Sequence, residues 1–199
     1  MPDTGAPWNI PYVESTDLVS DWPADSLALA NAIDAGLDAA GGLVDVKSAL
    51  FTGTQTNSTG GGANFAVTDL SITHEVADAS NKLIISAFIG AATTSNERGQ
   101  VGIAIYDGTS LIGIGDAAGS RTRVAAGGFV LSTAYDLAVT MPSVTFVHTP
   151  GWGSKTYTVR AINIDPSTRT VYINRPERDT DDAFIGRAAS SLVIQEVNV

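Results

Sequence analysis

Few residues in this 199-residue chain are suited to chemistry, and their spacing serves most reactions poorly. There are two histidines, His74 and His148, and no cysteine. Without thiols there is no disulfide, no thiolate nucleophile and no cysteine-type zinc site. His74-Glu75-Val76-Ala77-Asp78 begins like the His-Glu-x-x-His helix of zinc proteases, but Asp78 stands where the second histidine belongs. The segment also closes a strand-like run, whereas that motif needs a helix to bring both rings to one face. No Gly-x-Ser-x-Gly elbow occurs. Gly153-Ser154-Lys155-Thr156 lacks the Gly-Lys junction of a phosphate loop. Gly113-Ile114-Gly115-Asp116-Ala117-Ala118-Gly119 spaces its glycines loosely, and no helical pattern follows, so it reads as a turn. Each histidine reads as a surface or interface residue. An acid–base pair among the twenty-one carboxylates has no spacing to mark it. The expectation is a protein with no catalytic residues, no metal centre and no cofactor. One acidic cluster, Asp179, Asp181 and Asp182, sits among Arg175, Glu177, Arg178 and Arg187. It reads as a solvated loop with local ion pairs; a calcium site is the alternative.

The charge distribution points to assembly. Charged residues are 16% of the chain and hydrophobic ones 44%, where a soluble domain usually carries about a quarter charged. Much of the would-be surface is therefore expected to lie against other subunits. The net charge of −10 is uneven: residues 1–46 hold eight acidic and no basic residues, and all eleven lysines and arginines follow from Lys47 onward. An acidic chain without a basic stripe is a poor partner for nucleic acid. No run approaches a membrane span, and Met1-Pro2-Asp3-Thr4-Gly5 lacks the start of a secretory signal. A protein made in the cytoplasm and carried in a particle is expected.

Three segments follow in order. Residues 1–22 read as an extended arm, because Pro2, Pro7 and Pro11 forbid a continuous helix. Its Trp8, Ile10, Tyr12 and Trp22 look like anchors for a partner's pockets. Residues 23–43 hold a helix from Pro23, a favoured first position, to Ala40, with Gly41-Gly42 as the stop. Ala30, Ile33, Leu37 and Ala40 fit heptad spacing and are the candidate helix–helix interface.

Residues 44–199 are strand-like. Runs are read at 65–72, 82–89, 100–106, 111–114, 121–125, 137–147, 156–164, 170–174 and 191–199. In Thr156–Ile164 one face is Tyr157, Val159, Ala161 and Asn163. Turn signals such as Asp107-Gly108 and Asp165-Pro166-Ser167 separate the runs. Eight to ten short strands at this spacing predict a mainly β fold, an antiparallel jelly-roll-like sandwich preceded by the arm and one short helix.

Two stretches carry a resemblance. Gly5-Ala6-Pro7-Trp8-Asn9-Ile10-Pro11-Tyr12-Val13, with Asp21-Trp22-Pro23 and Ser26 to Leu37, resembles N-terminal segments of tailed-phage fibre and minor tail proteins. Ala49 to Gln55, Tyr157 to Ala161, Val171 to Arg175 and Ser190 to Val197 look like the C-terminal β domains of such fibres. The resemblance implies a homotrimer in the virion, attached to other virion proteins by its arm, with a distal domain facing a host-surface glycan or protein. Candidate receptor loops hold Asn96 and Arg98, and Asp179, Asp181 and Asp182. No long shaft separates arm from β domain, which keeps a head fibre or capsid decoration protein as the rival. A carbohydrate-binding jelly-roll module is the second.

Overall fold

The computed structural model describes residues 22–39, 42–95, 100–128, 138–183 and 185–198. The arm residues Trp8, Ile10 and Tyr12, together with Ala40, Asn96 and Arg98, lie outside the described residues. One helix, α1 (Trp22–Ala39), precedes twelve strands. These are β1 (Leu43–Phe51), β2 (Gln55–Thr59), β3 (Asn64–Val76), β4 (Lys82–Phe88), β5 (Ala92–Thr94) and β6 (Val101–Asp107). They continue with β7 (Ser110–Ile112), β8 (Ala126–Gly128), β9 (Ser143–His148), β10 (Gly153–Asn163), β11 (Arg169–Ile173) and β12 (Ser190–Val197).

The fold is mainly β, as expected. One sheet runs β1-β12-β4-β9; the other runs β3-β10-β6, with β7 and β8 on the same edge of β6. All pairings are antiparallel. Taking β1, β3, β4, β6, β8, β9, β10 and β12 as first to eighth, the first sheet reads first-eighth-third-sixth. The second reads second-seventh-fourth-fifth. That interleaving is the jelly roll. A third small sheet, β2-β11-β5, repeats the order β3-β10-β6, so three strand lines continue past a common interruption. Asn163 holds that break: its side-chain amide donates to the carbonyls of Thr59 and Ser167, both at 2.8 Å, and its oxygen accepts from Asp165 N–H.

Period-two alternation fixes which side of each strand turns inward. Val67, Leu70 and Ile72 from β3 meet Leu83 and Ile85 from β4; Ile103, Ile105, Tyr157 and Val159 meet Leu192 and Ile194. Of the two faces read in β10, the one carrying Tyr157, Val159, Ala161 and Asn163 is the buried one. Burying each such Ile or Leu contributes about 1.5–3 kcal/mol, offset by chain entropy.

Strand boundaries differ from expectation where the apolar signal is weak. β2 is polar throughout and β5 has three residues, so neither carries a readable alternation. β8 starts at Ala126, after the run expected at 121–125. β9 begins at Ser143, just after Pro142, which cannot donate to a ladder.

Two glycines make a sharp comparison. Gly108 and Gly113 both have left-handed backbones, φ 56° and 63°. A Cβ on Gly108 would meet open space, whereas one on Gly113 would lie 2.5 Å from the Phe146 ring. Gly108→Ala should destabilise by about 1–2 kcal/mol, the cost of the left-handed conformation. Gly113→Ala should lose a further 1–3 kcal/mol or so through overpacking. Urea unfolding of both variants measures the difference, and equal losses would contradict this packing.

Candidate functional site

The polar chemistry of the interior gathers at the end of the sandwich where α1 leaves. The ladders place the start of β1 beside the end of β12, and the start of β4 beside both β12 and β9. Asn198 ties the chain's last strand to this point: its N–H donates to the Gly42 carbonyl, and its side-chain oxygen accepts from Gly42 N–H.

His74, expected at the surface or an interface, is wholly buried. It stands on β3, facing Glu196 of β12, and so links the two sheets. His74 Nε2 lies 2.7 Å from Glu196 Oε2. The other carboxylate oxygen accepts from Asn81 Nδ2 at 2.6 Å and from Ala77 N–H at 2.9 Å. An ionised carboxylate only accepts, so Nε2 carries its hydrogen. His74 Nδ1 faces Asp45 Oδ2 of β1 at 3.7 Å, within ion-pair reach but too far for a hydrogen bond. Burial pushes the Glu196 carboxyl up; the hydrogen bonds from Asn81, His74 and Ala77, with the attraction of His74, outweigh it and hold the group below its usual range.

The second histidine makes a parallel link. His148, at the end of β9, brings Nε2 to 3.4 Å from Asp107 Oδ2 at the end of β6. Its ring also meets Tyr157 edge-on, centroids 6.0 Å apart. Tyr157 is fully enclosed and its hydroxyl has no hydrogen-bond partner among the described residues. Burial first, and then the charge of Asp107, push that hydroxyl's pKa up, so it stays neutral. Neither histidine stands beside a serine or threonine nucleophile in these contacts. The arrangement clamps the sheets rather than presenting a reacting group.

The expected site residues scatter. Trp22 opens α1 and Leu37 lies within it. Ala30 and Ile33 are exposed, Ile33 at 44% and its neighbour Leu27 at 62%. Among the described residues no strand packs extensively against α1. Asp179 sits at the opposite end of the sandwich, in the segment joining β11 to β12. Both its oxygens accept from Arg187 Nη2 at 2.9 Å, and Arg175 Nη1 lies 3.7 Å away. Arg175 also stacks 4.5 Å above the Tyr172 ring. The local ion pairs expected there are present. Asp181 and Asp182 are exposed. Among the described residues no three histidine or acidic side chains converge as metal ligands, and no helix is long and apolar enough to cross a membrane.

Sequence reasoning missed Glu196, Asn81 and Trp152. Glu196 lies 122 positions from His74 and 115 from Asn81 along the chain, so only the fold unites them. Trp152, 72% exposed in the turn after β9, had a signal: a tryptophan inside the Pro150-Gly151 turn has no strand to hide it.

No family model matches the chain, and no curated protein does. Among solved structures, it is similar to the crystal structure of the infectious bursal disease virus VP2 subviral particle. That likeness covers 79% of this chain and 42% of that one, at 10% identity and a TM-score of 0.23. The chain thus spans less than half the length of that protein.

The buried carboxylate has a pH signature. Its folded pKa is depressed, so the stability it contributes is present above the ordinary carboxylate range and is lost as pH falls through the folded value. Glu196→Gln should destabilise by about 1–3 kcal/mol at pH 7, and its deficit should close as pH drops below about 4. Urea titrations across this range measure it, and a deficit independent of pH would contradict an ionised Glu196.

Proposed function

We propose that the protein is a non-enzymatic structural component of a virion. It is a short fibre-type protein that assembles as a homotrimer, attaches through its N-terminal arm and presents its β domain outward. One observation carries the reading: α1 exposes Leu27 and Ile33, and among the described residues no strand packs extensively against it. In proteins most helical stability comes from packing an apolar face rather than from propensity. The apolar side chains of α1 need a surface from outside the chain, and Ala30, Ile33, Leu37 and Ala40 offer a seam for copies of itself. The jelly roll and the scarcity of charge fit such a role, and the resemblance to phage fibre proteins supports the virion setting.

In this reading the arm docks through Trp8, Ile10, Tyr12 and Trp22. Ordering an arm costs roughly 1–2 kcal/mol per residue, and each buried aromatic returns only about 1.5–3 kcal/mol. Docking by one chain is marginal, and three linked arms gain by effective concentration. The acidic first quarter of the chain suits a basic docking surface. In the same reading the segment joining β11 to β12, at the end away from α1, would meet a host-surface glycan or protein.

Replacing Trp8 and Trp22 together with alanine should release the protein from particles while leaving the β-domain's circular dichroism unchanged. Quantitative blotting of purified particles reads the result. Full retention of the doubly substituted chain would contradict docking by the arm.

A further inference from the structure

The outward faces of the two main sheets are chemically unlike. On β3 and β10 the face is polar: the hydroxyls of Ser71 and Thr158 pair at 2.9 Å, as do those of Thr73 and Thr156. Arg160 lies 5.0 Å above the Tyr106 ring on the same sheet. The β1-β12-β4-β9 sheet turns a mixed face outward, where apolar side chains stand among serines and Thr145, the Ser86 and Thr145 hydroxyls pairing at 2.9 Å, and charge is nearly absent. Val46, Gln195, Ile84 and Val147 face one another in a single cross-strand row. Leu50, Val193 and Phe88 extend the surface along neighbouring rows, separated by serines and Thr145. Val46 is 46% exposed, Leu50 62% and Val147 63%. Lys82 is the one charged side chain of these four strands that points outward; Asp45, Lys47 and Glu196 point inward.

We propose that this face is covered by a neighbouring copy of the same chain, a reading that rests on the self-association proposed above and assigns it a surface. Three observations favour a second copy over a foreign partner. The face has almost no charge in a chain of net charge −10, so it meets its own kind without repulsion. Four strands about 4.8 Å apart and six residues long give roughly 400 Å², half the roughly 800 Å² per partner of a standard interface. The exposed apolar side chains of α1 supply the remainder. The two surfaces are also neighbours in sequence, because α1 is followed directly by β1, the edge strand of this sheet. Bundling α1 about an axis brings these faces together. Trp152 stands exposed at the same end of the sandwich and enlarges the contact.

The test is the doubly substituted chain Val46→Glu with Val147→Glu, both at positions exposed in a single copy. Self-association, followed by sedimentation at several concentrations, should weaken on the order of a hundredfold with circular dichroism unchanged. The cysteine-free chain allows a second readout. A thiol introduced by Val147→Cys should react slowly with a maleimide and faster on dilution. One introduced by Ser154→Cys, exposed on the polar sheet, should react fast throughout. An oligomeric wild type whose double variant is equally oligomeric overturns this proposal and leaves self-association standing. A monomeric wild type removes both. A monomer whose thiol at position 147 is protected places the chain's own helix or arm on the face, and also overturns it.

Discussion

A two-layer sandwich can cover only one face of each sheet, and the other face must be solvated or borrowed. Everything distinctive in this molecule follows from how its side chains divide under that constraint. The inner faces are filled by aliphatic residues from β3, β4, β6, β10 and β12. The outer face of β3 and β10 carries hydroxyls and an arginine. The outer face of β1, β12, β4 and β9 mixes apolar side chains with serines, Thr145 and Gln195 but carries a single charge, Lys82. With 16% charged residues, the chain has few to spend there, and it places Asp45, Lys47 and Glu196 inward instead.

Those inward charges gather where α1 joins the sandwich. His74 and Glu196 link the two sheets through a buried contact of 2.7 Å, and His148 with Asp107 makes a looser second link. Removing one member of such a pair leaves a buried polar group unpaired, which costs more than the pair itself contributes. The clamps therefore act as alignment devices. They set β1 and β12 against β3 at the place where an assembly built on α1 would pass its load into the β domain.

Much of this was legible in the sequence, and the rest was hidden for identifiable reasons. The alternation in Thr156–Ile164 separates the two faces of β10 correctly, because both turns around it are strong and its apolar residues are large. Gly108 after Asp107 announces the hairpin between β6 and β7. By contrast, β1 reads Val44-Asp45-Val46-Lys47 and turns its valines outward; period two reveals two faces but never which one is inside. Polar β2 and three-residue β5 are recruited by the pairing of β11, a tertiary event with no local trace. The contact of His74 with Glu196 spans 122 positions, and nothing near either residue announces it. The exposure of Leu27 and Ile33 on α1 was invisible too, since a stripe of alanine, leucine and isoleucine would suit its own β domain as well as a neighbour.

The proposed assembly would unite the exposed helix, the sparsely charged sheet face and the clamped end, with copies of the chain burying what one copy cannot. The native mass of the full-length protein in solution tests this most directly. The account predicts a species of three times 20.5 kDa that persists on dilution to micromolar concentration. A stable, fully folded species of 20.5 kDa under the same conditions would contradict it.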